Sequence, residues 1–146
     1  MKKLFCLLTL FAISFAFSQQ KATPLQITLL EKSKAPLSTH IHKHTYSIKN
    51  STNEAIEYTI VTKQVDCKRK SSKMSVNIHS STHTKLSKVL IKANTSKTFT
   101  VELQRNYLTK LDTWSCTEIS ATNQHGNPIS NTVTLTQFIP DTKKFQ

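Results

Sequence analysis

Residues Thr98-Phe99-Thr100-Val101-Glu102-Leu103 set polar and apolar side chains in strict alternation. In an extended chain this period of two puts Phe99, Val101 and Leu103 on one face and Thr98, Thr100 and Glu102 on the other, the signature of a half-buried strand. The same period recurs on both sides. Upstream, the turn Ala93-Asn94-Thr95-Ser96 follows a run over Lys85 to Lys92 that carries Leu86, Val89, Leu90 and Ile91. Before it come a weaker run over Met74 to His79 and a longer one over Ala55 to Val65, with Ile56, Tyr58 and Ile60. The cluster Asn50-Ser51-Thr52-Asn53 separates the latter from His42 to Lys49. Asparagine serves there in place of glycine because it tolerates left-handed dihedrals. Pro24 opens the first run, Leu25 to Lys32.

Downstream, a connection through Tyr107, Leu108 and Leu111 reaches Trp114-Ser115-Cys116, which begins the next strand. Asn123-Gln124-His125-Gly126-Asn127 reads as a hairpin turn, and Ile129 to Ile139 as the last strand. Pro140 ends it, because proline cannot donate to a ladder. No helical stripe of useful length intervenes. Seven to eight short antiparallel strands at this spacing predict an all-β chain folded as one β-sandwich.

The N-terminus follows a different rule. Met1-Lys2-Lys3 is positive, Leu4 to Phe17 is apolar, and Ala16-Phe17-Ser18 places small residues where a signal peptidase needs them. The apolar run falls short of the about 20 residues that span a bilayer. Residues 1–18 are therefore expected to be a cleaved signal peptide, and residues 19–146 a single domain with a short polar tail. No later segment is apolar enough to cross a membrane. The expected location is secreted or periplasmic.

Twenty Lys and Arg oppose eight Asp and Glu, a net charge of +12 that falls to +10 when Lys2 and Lys3 leave with the leader. Such a charge favours anionic neighbours, although it equally serves solubility. The basic run Lys68-Arg69-Lys70-Ser71-Ser72-Lys73 is its densest part. Lys68, Arg69, Lys70 and Lys73 are candidate anion-binding residues, the partner being an anionic surface glycan or an envelope protein; the alternative is a solvated loop. No aromatics interleave with them, so a nucleic-acid partner is not expected. Cleavage removes Cys6 and leaves Cys67 and Cys116. An even count in an exported chain predicts a disulfide; the alternative is two free thiols, one of them a nucleophile.

His40-Ile41-His42-Lys43-His44 puts three imidazoles on one side of a strand. Neighbours two residues apart can share an ion, but three in a row cannot easily do so. His40, His42 and His44 are thus metal candidates only with a ligand from elsewhere, His79 or His83. The alternative is a histidine-rich strand entry, with His42 and His44 partly buried in register with Tyr46 and Ile48. Catalysis finds little support. A single glycine excludes both the G-x-S-x-G elbow and a glycine-rich phosphate loop. The eight carboxylates are scattered, and a thiol nucleophile would need a free cysteine. Neither enzymatic activity nor a cofactor is expected. Trp114, the only tryptophan, is expected to pack in the core near the disulfide instead of serving as a sugar platform.

Trp114-Ser115-Cys116, the strand to Asn123, the turn His125-Gly126-Asn127 and the strand Thr132 to Leu135 together resemble the last hairpin of immunoglobulin-like domains. Tyr46-Ser47-Ile48-Lys49-Asn50 and Ser96-Lys97-Thr98-Phe99-Thr100-Val101 are similar to the Ig-like and fibronectin type III-like modules of bacterial exported proteins. Phe15-Ala16-Phe17-Ser18-Gln19 is similar to the leaders of Bacteroidota secreted proteins. The resemblance implies an Ig-like sandwich and a non-catalytic role in adhesion or accessory binding. The chain departs from it at Cys67, which follows the third strand and has no tryptophan soon after it. The disulfide is therefore expected to tie a strand end or loop to the strand of Cys116. Trp114 and Cys116 also fall out of phase with Ile119 and Ala121, which a bulge after Cys116 would reconcile.

Overall fold

The computed structural model describes residues 23–80 and 88–141. The expected leader, residues 1–18, lies outside them, as do His83 and the first residues of the run beginning at Lys85. Among the described residues eight strands form: β1 Leu25–Glu31, β2 Ile41–Asn50, β3 Ile56–Val65, β4 Ser75–Ser80, β5 Val89–Ile91, β6 Ser96–Gln104, β7 Thr113–Thr122 and β8 Val133–Ile139. They build two four-stranded sheets with antiparallel neighbours, β1-β2-β6-β4 and β5-β3-β7-β8. No helix among the described residues is long and apolar enough to cross a membrane.

The alternating side chains make the core. Phe99, Val101 and Leu103 point inward from β6, beside Tyr46 and Ile48 of β2 and Leu25 and Ile27 of β1. Tyr58, Ile60, Ile91, Ile119, Ala121, Leu135 and Ile139 complete it from the second sheet. Tyr46 and Phe99 face each other in the β2–β6 register with ring centroids 5.5 Å apart. Such cross-strand pairs are the units that stabilise a sheet.

Two asparagines close the far end. Asn50 is fully buried; its amide Nδ2 donates to the carbonyls of Glu54, Ile91 and Lys92, and its Oδ1 accepts from Thr52. Asn131 covers the edge of β1, accepting from the Ile27 amide at 2.7 Å and donating to the Ile27 carbonyl at 3.0 Å. Here the last strand differs from expectation. The chain at residues 129–131 bridges the two sheets: the Ile129 amide still donates to the Ala121 carbonyl of β7 while its carbonyl accepts from Leu25, and Ser130 forms a parallel bridge to Leu25, so β8 begins only at Val133. The expected hairpin turn is present, with Gly126 at φ 79° and the Asn123 side chain accepting from the amides of His125 and Asn127.

No bulge is needed after Cys116. β7 pairs with β3 and β8 in unbroken register through Cys116, opposite Val65 on one side and Thr136 on the other. Strand parity then assigns the faces. Thr113, Ser115, Thr117, Ile119 and Ala121 are buried inward, while Trp114, Cys116 and Glu118 point outward. Trp114 is accordingly not a core residue. Its place in the core is taken by threonine and serine, which conceals the inward face from a search for apolar residues.

Candidate functional site

The disulfide Cys67–Cys116 lies on the outer face of the second sheet, with the two Cα atoms 5.5 Å apart. It joins the loop after β3 to β7 at Cys116, which pairs with Val65 of β3 and Thr136 of β8, as expected of a bond tying a loop to a strand. Closing a loop with a sequence separation of 49 residues stabilises the fold by about 4 kcal/mol in the chain-entropy account. With both sulfurs bonded, neither is a nucleophile.

Around it lies an open groove of about 510 Å³, lined by Val65, Asp66, Cys67, Lys68, Arg69, Trp114, Cys116, Thr134 and Thr136. β7 and β8 supply its floor. Trp114 packs against Phe138, its partner across the ladder, with centroids 5.0 Å apart and planes tilted by 48°. The Arg69 guanidinium sits over the indole, 5.7 Å from its centroid. A cation over an aromatic face is attracted by the ring quadrupole, and tryptophan is the strongest partner.

The loop that carries Arg69 is built, not loose. The Cys67 amide donates to Ser71 Oγ at 2.7 Å, and that hydroxyl donates to the Arg69 carbonyl at 3.1 Å. The chain then runs along the start of β7: Trp114 donates to the Lys70 carbonyl at 2.9 Å, and Ser72 donates to the Trp114 carbonyl at 2.8 Å. These bonds fix the direction in which the basic residues leave the surface. Lys68 and Arg69 border the groove, whereas Lys73 lines a neighbouring concavity of about 420 Å³ with Lys63, Gln64 and Asp66. Lys70 lines neither of these two. The four cations therefore serve different stretches of surface.

Chemically the groove offers an apolar floor of indole, disulfide and valine, two threonine hydroxyls, two cations and the carboxylate of Asp66. It suits a ligand that combines a flat apolar face with an anionic group. The connection between indole and basic loop was hidden in the sequence, because Trp114 and Arg69 stand far apart along the chain. The readable signal was parity: Trp114 and Cys116 alternate against Ile119 and Ala121.

The histidines occupy another region. His42 and His44 are buried on the inner face of β2, in phase with Tyr46 and Ile48, while His40 is exposed before the strand begins. The Ser33 amide donates to His44 Nδ1 at 3.3 Å, which leaves the proton of neutral His44 on Nε2. Burial holds His42 below the usual imidazole range, and pushes His44 down to about 4, with His42 and Lys32 adding repulsion. His79 pairs with Thr100, one residue out of phase with the inward Ile78, so it points away from the sandwich interior. It cannot join His42 and His44 around one ion. Among the described residues, no group of three or more His, Cys, Asp or Glu side chains is placed to hold a metal.

No protein-family model matches the chain, and no curated protein matches it. Similarity appears among solved structures. A FixG-related protein from Vibrio parahaemolyticus is 11% identical, with 82% of this chain and 99% of that chain covered and a TM-score of 0.54. A conjugative transposon lipoprotein from Bacteroides eggerthii is 8% identical over 80% of this chain and 98% of its own, at a TM-score of 0.49. A conjugate transposon protein from Bacteroides vulgatus is 15% identical over 84% and 89%, at 0.46. At such identities the likeness to the Vibrio protein speaks for the fold alone, and that fold is a β-sandwich.

Proposed function

We propose that the chain is a non-catalytic, exported binding module of Ig-like type that holds an anionic partner, a surface glycan, in the groove beside Cys67–Cys116. The observation that carries the proposal is the Arg69 guanidinium poised over Trp114 beside Lys68. An acidic sugar presents a C–H face to an indole and a carboxylate or sulfate to a fork of N–H donors, which arginine binds in bidentate fashion. The leader pattern and the paired cysteines support export. The strand order supports the Ig-like type: β1-β2-β6-β4 against β3-β7-β8 follows the ABED and CFG sheets of constant-type domains, with β5 a short addition. The inner faces of β2 and β7 carry no cysteine, so the usual bridge across the core is replaced by one on the surface.

The test uses the single tryptophan as reporter. A polyuronate or a sulfated polysaccharide should shift Trp114 emission and bind, whereas a neutral glucan should not. Raising the salt should weaken binding. Replacing Arg69 by Ala should weaken it about tenfold, the effect of losing one charge-assisted contact. Equal affinity for charged and neutral glycans, or affinity indifferent to Arg69→Ala and Lys68→Ala together, would overturn the assignment.

A further inference from the structure

The connections at one end of the sandwich are long: residues 32–40, 66–74 and 105–112. They hold eight Lys and Arg and two Asp. The turns at the other end, residues 51–55, 92–95 and 123–128, hold one lysine and one glutamate, and the β4–β5 connection, residues 81–88, adds Lys85 and Lys88. The charge of these connections is therefore polarised, which a general solubility role does not require.

At the tip of this basic end stand Tyr107, 94% exposed, and Leu108, 66% exposed, with Leu37 and Leu111 also open to solvent. Single exposed apolar residues are ordinary. This pair differs because the turn beneath it is locked. Asn106 Oδ1 accepts from the Leu108 amide at 2.9 Å, the Thr109 amide donates to the Asn106 carbonyl at 3.0 Å, and Thr109 Oγ1 accepts from the Asn106 amide at 2.9 Å. Further bonds tie the turn to its neighbours: Asn106 to Ser75 Oγ, Thr109 to the Lys73 carbonyl, and the Lys110 amide to Ser72 Oγ. Arg105 holds the loop of Leu37 through the carbonyls of His40 and Leu37. A tyrosine and a leucine are thus presented rigidly, beside exposed Lys70, Lys73 and Lys110.

We propose that this end docks on an anionic lipid surface, with Tyr107 and Leu108 entering the headgroup region and Lys70, Lys73 and Lys110 facing the phosphates. An amphipathic ring sits well at a membrane–water interface, and each lysine near such a surface adds attraction. A pre-ordered tip also avoids the entropic cost of ordering a loop on contact. Charge complementarity favours lipid over a neutral protein surface.

The experiment is co-sedimentation of the protein with phosphatidylcholine vesicles, with and without phosphatidylglycerol. Binding is expected only with phosphatidylglycerol, and should weaken as salt rises. Leu108→Ser should lower partitioning about tenfold, consistent with burial of one leucine. Lys70→Gln, Lys73→Gln and Lys110→Gln should each lower it about fivefold. Leu90→Ser is the control: Leu90 is 57% exposed on β5, at the less basic end, and the change should leave binding intact. All these sites are exposed, so the variants should fold, which their circular dichroism would verify. Absence of binding to the anionic vesicles, or equal loss with Leu90→Ser and Leu108→Ser, would overturn the proposal. Glycan binding at Arg69 should be unaffected by Leu108→Ser, so each proposal can fail without the other.

Discussion

The two halves of this sandwich solve the interior differently. Toward the short turns, the space between the sheets is filled by Leu25, Ile27, Ile48, Tyr58, Ile60, Ile91, Phe99, Ile119 and Ala121, and the one buried amide, Asn50, has all its bonds made. Toward the long basic loops, the buried apolar residues Met74, Val101, Leu103, Leu135 and Ile139 share the inward positions with the polar His42, His44, Thr113, Ser115, Thr117 and Gln137. Seven buried side-chain nitrogen or oxygen atoms among the described residues lack a hydrogen-bond partner, and they belong to His42, His44, Tyr46, Gln64, Arg105, Ser115 and Thr117. All occupy the basic half or border it. An unpartnered buried polar atom costs about 1–3 kcal/mol. Stability is therefore weighted toward the dry half, while the half that carries the groove and the exposed tip dilutes its apolar contacts with unmet polar groups and is tied further by the disulfide and by loop hydrogen bonds. Binding surfaces are commonly drawn from the less stable part of a fold.

Substitutions can break that contrast. Phe99→Ala should have the largest effect, a loss of about 4 kcal/mol, because it opens a cavity in the dry half. Chemical denaturation would measure it; a loss below about 1 kcal/mol would mean that the dry half is not where the stability lies. Acid should act next, and on the other half. His44 is neutral when folded, with its imidazole pushed down to about 4 from 6.5. Unfolding releases it to bind a proton, so stability should fall as the pH drops from about 6.5 to about 4. From this residue the loss reaches about 3 kcal/mol below that window, and His42 adds to it with the same sign. Melting curves against pH would show the slope, and His44→Leu should flatten it. An unchanged slope would move the acid sensitivity away from the histidines.

Much of this contrast was legible in advance, and the rest was hidden for identifiable reasons. Alternation located the strands because half-buried strands must alternate. It also placed His42 and His44 inward with Tyr46. It failed at β7, where the inward residues Thr113, Ser115 and Thr117 are polar and the outward ones include Trp114 and a cysteine. Judging burial by residue type then pointed the tryptophan into the core. Judging by strand phase, counted back from Ile119, would have pointed it outward. The groove escaped because it depends on the loop after β3 folding back along β7, a pairing of Ser71 with Trp114 that no local pattern announces.

Asn50 tests the dry half from its rim. Asn50→Ala should cost about 2 kcal/mol, since it strips a partner from the carbonyls of Glu54, Ile91 and Lys92 at two of the turns there. If thermal unfolding moved by less than about 2 °C, the turns would be holding themselves.

The finest test compares two buried threonines on the same face of β7. Thr113 Oγ1 donates to the Lys110 carbonyl at 2.7 Å, whereas Thr117 Oγ1 has no partner; both side chains are wholly enclosed. Valine has nearly the shape of threonine without its hydroxyl. Thr113→Val should therefore destabilise by about 1 kcal/mol, the net worth of one hydrogen bond. Thr117→Val should stabilise by a similar amount, because it removes a polar atom that is buried unmet. Urea midpoints would resolve the opposite signs. Equal costs at the two positions would mean that Thr117 bonds to internal water. The basic half would then be a hydrated core, its polar residues satisfied through solvent, and the difference between the halves would be one of wetness instead of stability.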